Sequence, residues 1–137
     1  MDNVSPVDRL INMGFRQVGE WQAEGVKIRF ILDVDAASIK NVLYAFVCQG
    51  TVVYIGKTVR SLRQRMSGYK NPSSSQSTNI KGNKLIIETL AKNISVLIFA
   101  LPDNGLLYYG GFHINLAAGL EDSMVSALKP AWNRMGV

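Results

Sequence analysis

The chain has 137 residues, of which 47% are hydrophobic, and it carries a formal net charge of +5 and one cysteine. This length suits a single domain with its own core, and the absence of a run of about 18 apolar residues argues against a transmembrane helix or a membrane partner. A lone cysteine excludes a disulfide framework and, with an N-terminus that lacks signal-peptide features, predicts a cytoplasmic protein.

The chain opens with a predicted helix and hairpin. A helix is expected from about residue 5 to residue 14, beginning at a Ser-Pro pair and ending at a glycine. Two strands around a Glu-Gly turn are expected between residues 15 and 33. We therefore divide the chain into an N-terminal helix-and-hairpin extension, residues 1–40, and a core, residues 41–137, within one compact domain.

The core begins with a strong hairpin signal. Residues 41–48 and 51–55 are rich in strand-forming side chains and flank the two-residue turn at residues 49–50. Regular pairing from such a turn puts Tyr44 near Ile55 on the opposite strand.

Helices and one more strand complete the predicted core. Leu62, Met66 and Tyr69 recur at helical spacing and predict one buried stripe. This combination of antiparallel strands with separate helices predicts an α+β fold, with a small antiparallel sheet of about three core strands flanked by helices. We expect helices over residues 61–69, 80–92 and 119–128, a strand over residues 94–100, and loops over residues 71–78 and 102–111.

The positive charge is concentrated in the middle of the chain. Residues 57–92 hold eight Lys or Arg against one acid, Glu88, whereas the segments on either side each sum to −1. A basic segment of this kind attracts a polyanion, and nucleic acid is the commonest one. A merely solvated basic helix face is the alternative that charge alone leaves open.

Several residues with chemical potential converge on the end of the predicted hairpin. Gly56 permits close approach of a ligand, and Lys57 follows it directly. Arg65 flanks the buried stripe of the next helix and would return towards the hairpin end, although an arginine there more often extends to solvent. Core packing is the corresponding structural explanation for Tyr44 and for Tyr54, each taken alone.

These residues form a pattern that resembles the first half of the GIY-YIG nuclease signature. Residues 42–44 read VLY where the family name has GIY, and residues 54–58 read YIGKT, which is a close match. Arg65 follows one residue later than the usual family spacing, which we attribute to an extra residue in the turn at 59–61.

The far end of the chain is similar to the family's late motif, a helix carrying a metal-binding glutamate followed by Pro and Asn. Here those residues are Glu121, Pro130 and Asn133. The resemblance covers about residues 41–135, and it is closest to the compact phage endonuclease II type and to restriction-like relatives. Residues 71–84 also resemble that subgroup.

The resemblance implies a DNA endonuclease that hydrolyses phosphodiester bonds with one divalent metal, Mg²⁺ or alternatively Mn²⁺, held by Glu121. Tyr54 or Tyr44 would act as the general base, and Lys57 and Arg65 would stabilise a phenolate. The guanidinium of Arg65 would also bind the scissile phosphate.

Further roles follow from the same resemblance. Tyr69 would help to position the nucleophile, and Asn133 would order the site through hydrogen bonds. Contacts to DNA are expected from six basic side chains: Lys57, Arg60, Arg63, Lys70, Lys81 and Lys84. The sequence does not decide between Lys81 and Lys84 as the residue that contacts a phosphate. Cutting both strands with a one-metal site needs either two sites or two successive nicks, and a homodimer or higher oligomer is the hypothesis that follows from the first.

Structural explanations are preferred for the remaining candidates. Trp21 and Trp132 are expected in the core, and His113 lacks the companions that a zinc site needs. Asp122 points about 100° away from Glu121 on a helix, so it is interpreted as a helix N-terminal charge rather than a second ligand. Two other functions remain open, a catalytically silent nucleic-acid-binding module of the same fold and, more weakly, an RNA nuclease.

Overall fold

The computed structural model describes residues 4–137, so the first three residues of the predicted extension lie outside the described residues. The predicted helix, hairpin, hairpin, helices, strand and late helix are all found in that order. The elements are α1 (Pro6–Asn12), β1 (Arg16–Glu24), β2 (Lys27–Leu32), α2 (Val34–Ala37), β3 (Val42–Cys48), β4 (Thr51–Thr58), α3 (Leu62–Lys70), α4 (Ser77–Ala91), β5 (Val96–Pro102), β6 (Tyr108–Tyr109), β7 (Phe112–His113), α5 (Leu116–Leu128) and α6 (Ala131–Arg134).

One antiparallel sheet of five strands, in the order β2-β1-β5-β3-β4, organises the molecule. The predicted α+β fold, with an antiparallel sheet flanked by helices, is confirmed, but the predicted number of about three strands is wrong. The difference arises because β1 pairs with β5 as well as with β2, with Trp21 opposite Val96. The N-terminal hairpin thus supplies hydrogen-bond partners to a strand that would otherwise be at the edge of the sheet.

Both faces of the sheet are buried. All seven residues of β3 are inaccessible because successive side chains alternate between two cores. Tyr44 and Phe46 belong to the core that also contains buried residues of α3, α4 and α6, whereas Leu43 and Ala45 belong to the core shared with α1 and α5. Strand β3 therefore contributes side chains to both cores of the molecule.

The β3–β4 hairpin carries a bulge that changes the predicted register. The turn at residues 49–50 has positive φ at both positions, as a tight hairpin turn requires. Beyond it, Val53 is an extra residue on β4, so that Tyr44 lies opposite Gly56 rather than near Ile55. Because of the bulge, Tyr44 faces Gly56, which has no side chain, instead of the branched Ile55.

Helix α3 begins within one residue of its predicted start, whereas helix α4 begins three residues earlier than predicted. Helix α3 has a capping box at its start, and the predicted stripe of Leu62, Met66 and Tyr69 is buried. Helix α4 begins at Ser77, within the segment predicted as loop. Its apolar side chains Leu85 and Leu90 pack against the core, and Ile86 is fully buried in it.

Helix α5 begins at Leu116, three residues before the predicted start. The cause is Asn115, whose side chain accepts hydrogen bonds from two backbone N–H groups of the first turn. Asp122 consequently lies in the second turn, so its interpretation as a helix N-terminal charge is wrong. The helix ends as predicted before Lys129, which is left-handed, and Pro130.

The predicted loop at 102–111 contains part of a small hairpin. Strands β6 and β7 pair with each other, apart from the main sheet, and their apolar side chains are exposed. At the base of this hairpin, His113 Nε2 lies 3.0 Å from Asp103 Oδ2. Across residues 4–137, none of the helices combines the length and apolarity that spanning a bilayer would require.

Candidate active site

Arg65 is at the centre of a hydrogen-bonded cluster with two tyrosines. Its Nε donates to the Tyr44 hydroxyl at 3.0 Å, and its Nη2 donates to the Tyr69 hydroxyl at 2.8 Å. The two hydroxyl oxygens are 2.7 Å apart and share a further hydrogen bond. The prediction that Arg65 returns towards the hairpin is therefore confirmed, and it does not extend freely to solvent.

The fold makes this cluster by stacking α3 on β3. Arg65 and Tyr69 are four residues apart, so they lie on the same face of α3, and the guanidinium carbon is 4.1 Å from the centre of the Tyr69 ring. Tyr44 reaches them from β3, passing over Gly56. A Cβ at Gly56 would lie 2.6 Å from Tyr44 Cζ and 2.8 Å from Tyr54 Cε2, so glycine is required for this close approach.

The hydrogen-bond capacity of the cluster is only partly used. A guanidinium has five N–H groups, of which two are directed at Tyr44 and Tyr69 and a third at Asn79. One N–H on each terminal nitrogen of Arg65 is therefore left for another acceptor. Because only one tyrosine can donate between the two hydroxyls, one phenolic O–H is also left to donate elsewhere.

Burial controls the protonation of the paired phenols. It raises the pKa of the Tyr44 phenol well above its ordinary value, the neighbouring Tyr54 raises it further, and Arg65 offsets only part of the effect. Burial likewise raises the pKa of Tyr69, with smaller contributions from the other two tyrosines. The protein surroundings therefore move the pKa of Tyr44 away from neutral pH, and Arg65 by itself does not bring it there.

Tyr54 occupies a different position from the other two tyrosines. Its ring centre is 6.0 Å from that of Tyr44 and 6.3 Å from that of Tyr69. Within residues 4–137 its hydroxyl takes part in no protein hydrogen bond. That hydroxyl is also not among the buried polar atoms left without a partner. The ring lines a cavity of about 460 Å³, with Glu121, Asp122, Val125, Ser126, Asn133 and Val137.

Two charged side chains meet at the edge of this cavity. Lys57 Nζ, on β4, lies 3.7 Å from Glu121 Oε1, on α5, and the Glu121 side chain is 21% exposed. The described chain contains no group of three or more His, Cys, Asp or Glu side chains that could hold a metal. One carboxylate is nevertheless a suitable donor for Mg²⁺, which keeps several waters and also binds substrate phosphate oxygens. The residues present therefore fit a hydrated divalent ion at Glu121.

Asn133 ties the C-terminal helix to the edge of the sheet. Its side-chain oxygen accepts from the Ile55 backbone N–H at 2.9 Å, and its nitrogen donates to the Ile55 carbonyl at 2.8 Å. Strand β4 is the last strand of the sheet, so these backbone groups have no further strand to pair with. The amide thus completes the strand edge directly below Tyr54 and fixes one wall of the cavity.

The predicted DNA-contacting residues are distributed around the site rather than gathered in it. Arg60 and Arg63 are exposed before and within the first turn of α3, and Lys84 is exposed on α4. Lys70 is half-buried beside a separate cavity that also contains Lys27 of β2.

The structure distinguishes the two lysines of α4. A Cβ at Gly136 would lie 3.1 Å from Lys81 Nζ, and the next residue, Val137, lines the cavity with Tyr54. Lys81 is therefore beside the candidate site, whereas Lys84 is on the following turn of α4.

Sequence reasoning missed two residues of the site. Asn79 contacts Arg65 from α4, but it lies where a polar loop meets a helix, and its sequence neighbours carry no signal of burial. Asp122 lines the cavity beside Glu121 even though the two side chains are adjacent on a helix.

Comparison with known proteins identifies the fold. No family model matches the sequence, and no curated protein matches it. Among solved structures, a point mutant of bacteriophage T4 EndoII is 21% identical with a TM-score of 0.71, covering 94% of this chain and 98% of that one. The restriction endonuclease Hpy188I in complex with product DNA is 17% identical with a TM-score of 0.57, covering 92% of this chain and 80% of that one. The predicted resemblance to the compact phage and restriction-like type is confirmed at the level of the fold.

Proposed function

We propose that this protein is a metal-dependent DNA endonuclease that hydrolyses phosphodiester bonds. The observation that carries the proposal is the arrangement of Arg65, its two buried tyrosines and the Tyr54–Glu121 cavity around the end of one hairpin. Both similar structures are of proteins whose names describe endonucleases, and one of them holds product DNA. The basic central segment supports a polyanionic substrate.

Arg65 is the residue that we expect to bind the scissile phosphate. Its two uncommitted N–H groups suit two oxygens of one phosphate, and the internal hydrogen bonds hold the guanidinium plane before substrate arrives. Such preorganisation stabilises the charge that develops on phosphate oxygens during attack, without a reorganisation cost at that moment. The remaining phenolic O–H of the Tyr44–Tyr69 pair is a further donor to the same anion.

Tyr54 is the preferred proton acceptor among the tyrosines. The attacking water must lose a proton as its oxygen bonds to phosphorus and the bond to the 3′ oxygen breaks. Tyr44 is committed to Arg65 and Tyr69, and burial keeps it protonated, whereas the Tyr54 hydroxyl is uncommitted in the described chain and lines the cavity. Tyr54 would take the proton as a phenolate or pass it on through a hydrogen-bonded relay.

Glu121 is the residue that would hold the divalent metal, Mg²⁺ by preference. A metal bound there would supply positive charge to the phosphate and to the leaving oxygen. Lys57 balances the carboxylate charge of Glu121 and would approach the phosphate when that carboxylate is occupied. Asn133 holds β4, and therefore Tyr54, against α6.

Cleavage of supercoiled plasmid with Mg²⁺, and with EDTA instead, tests the proposal. We expect nicked and linear products only with metal. Glu121→Ala should lower the cleavage rate by about 10²-fold or more while DNA binding is retained, because one group that holds the metal is removed.

Glu88→Ala is the matched control, since Glu88 is an exposed glutamate on α4 away from the cavity. Binding of plasmid without cleavage under any divalent metal would favour the silent nucleic-acid-binding module. Cleavage of RNA alone would favour the ribonuclease. Normal cleavage by Glu121→Ala would contradict the metal assignment.

We further propose that the β6–β7 hairpin joins two copies of the chain. Tyr108, Tyr109 and Phe112 are 63%, 82% and 78% exposed, and Leu106 and Leu107 precede them at 76% and 44%. At about 150–250 Å² for each aromatic side chain, the hairpin exposes on the order of 500 Å² of apolar surface. Two hairpins packed on each other would bury on the order of 1,000 Å², which is the lower limit of a specific interface.

Sedimentation of the purified protein tests this arrangement. We expect a dimer, and we expect Tyr109→Ser combined with Phe112→Ser to give a monomer that nicks plasmid but forms less linear product. Val34→Ser is the control, because Val34 is 85% exposed away from the hairpin. A monomeric wild-type protein, or a double variant that is still a dimer, would contradict the proposal.

A further inference from the structure

Asn79 is an unusual residue of the core. Apart from the tyrosines, the tryptophans and Cys48, Asn79 and Thr58 are the only polar side chains buried among residues 4–137. A buried amide costs free energy unless its donors and acceptor are hydrogen-bonded. The partners that satisfy Asn79 therefore indicate what the buried amide does.

Both ends of the Asn79 amide are engaged. Its oxygen accepts from Arg65 Nη1 at 2.8 Å, and its nitrogen donates to Gln76 Oε1 at 3.0 Å. The two bonds fix the orientation of the amide, because an inverted amide would place an N–H group against the guanidinium. Gln76 is itself bonded through its backbone N–H to the Ser73 carbonyl, within the exposed segment that precedes α4.

Gly68 on α3 leaves space for the contact between Arg65 and Asn79. A Cβ at Gly68 would lie 3.2 Å from Asn79 Nδ2 and 3.3 Å from Arg65 Nη1. An alanine at this position would therefore crowd both side chains, which would have to give by a few tenths of an ångström. The Asn79 amide thus meets the guanidinium on the side that faces away from the two phenols.

We propose that Asn79 is a positioning residue for phosphodiester cleavage, holding the Arg65 guanidinium so that its two free N–H groups face the scissile phosphate. This inference rests on the nuclease function proposed above. Three neutral acceptors surround Arg65, namely two phenols and one amide, so its positive charge stays available to the phosphate. A carboxylate in the place of the amide would form an ion pair with Arg65 and compete with the phosphate.

The test compares Asn79→Ala, Asn79→Asp and wild type in single-turnover cleavage of a DNA duplex with Mg²⁺. The dissociation constant for the same duplex is measured with EDTA. We expect Asn79→Ala to lower the cleavage rate constant about tenfold, the effect of one hydrogen bond to a charged group. Asn79→Asp, which keeps the shape and the acceptor, should lower it further because of its charge. The dissociation constant should change little in both variants.

Asn83→Ala is the matched control. Asn83 lies one turn later on α4 and donates to the Tyr69 carbonyl at 2.9 Å, so it links the same two helices without contacting Arg65. We expect it to lower the melting temperature as Asn79→Ala does, with the cleavage rate unchanged. In an Arg65→Lys background, Asn79→Ala should lower the cleavage rate constant by a smaller factor than it does in wild type, because the two side chains act as a unit.

The possible outcomes separate this inference from the proposed function. If wild type cleaves but Asn79→Ala and Asn83→Ala affect rate and stability alike, Asn79 has only a structural role and the inference fails. Wild-type rates for Asn79→Asp would overturn it as well, and this isosteric variant decides the matter if Asn79→Ala does not fold. A wild-type protein that cuts no DNA with any metal would refute the nuclease proposal itself.

Discussion

The three tyrosines around Arg65 are chemically different although they are one residue type. Tyr44 and Tyr69 hold the guanidinium with neutral hydroxyls, and burial keeps their protons in place. Tyr54 lines the open cavity with the carboxylate of Glu121. In the function proposed above, the environment rather than the residue type would separate the tyrosines that position phosphate from the one that accepts the proton.

The buried phenols predict a loss of stability at alkaline pH. The folded state holds the Tyr44 proton more tightly than the unfolded chain, in which the phenol has its ordinary pKa of 10.0. Below that pH the group contributes no pH dependence, and above it the free energy of unfolding falls by about 1.4 kcal/mol per pH unit for each such phenol.

Urea unfolding at pH 8, 10 and 11 measures this effect. Tyr44→Phe should be less stable than wild type at pH 8, because it loses the bonds to Arg65 and Tyr69. That difference should shrink as the pH rises above 10, because the variant no longer has the phenol to titrate. Tyr69→Phe should behave in the same way, and a difference that is constant with pH would contradict the assignment.

At the scale of elements, the packing of the β3–β4 hairpin against helix α3 depends on the close approach of the Tyr44 ring to Gly56. The bulge at Val53 places Gly56 opposite Tyr44, where no side chain fits. The geometry of the candidate site therefore depends on the register between β3 and β4.

We predict that Gly56→Ala destabilises the protein by about 1–3 kcal/mol and lowers cleavage. The added Cβ would lie less than 3 Å from the rings of Tyr44 and Tyr54, so at least one ring would have to shift. Gly119→Ala is the matched control, because its Cβ would meet only Ile114 Cγ2, at 3.5 Å, and an exposed helical position gains about 0.5–1 kcal/mol from alanine. Chemical denaturation should show a lower free energy of unfolding for Gly56→Ala and a higher one for Gly119→Ala than for wild type. Equal stability of Gly56→Ala and wild type would contradict the close approach.

At the scale of the whole molecule, charge and surface apolarity are divided between regions. The basic residues of the central segment lie on β4, α3, α4 and the residues next to them, whereas a run of exposed apolar residues lies on and just before the β6–β7 hairpin. The two surfaces suit different partners, a polyanion and a second copy of the chain.

The location of Lys81 beside the cavity predicts a measurable contribution to DNA binding. If it contacts one phosphate, Lys81→Ala should reduce the slope of log affinity against log salt concentration by about 0.9 for duplex DNA. Lys40→Ala is the control, because Lys40 is exposed outside the basic segment. Fluorescence anisotropy in EDTA over a range of salt concentrations measures both slopes, and equal slopes for the two variants would exclude a phosphate contact by Lys81.

The sequence alone determined the features that depend on local pattern. Strand and helix periodicity predicted the α+β elements in the right order, and the resemblance of the YIGKT run, Arg65 and Glu121 to family motifs predicted a nuclease-like fold. The buried stripe of α3 followed from spacing as well, because neighbours on a helix face are three and four residues apart.

Only the tertiary structure decided the features that join distant segments. The pairing of β1 with β5 raised the sheet to five strands, the bulge moved Tyr44 opposite Gly56, and the contact of α4 with α3 buried Asn79 against Arg65. Each of these depends on which surfaces pack together across long stretches of chain. Residue spacing reports only nearby neighbours, so it carried no signal for them.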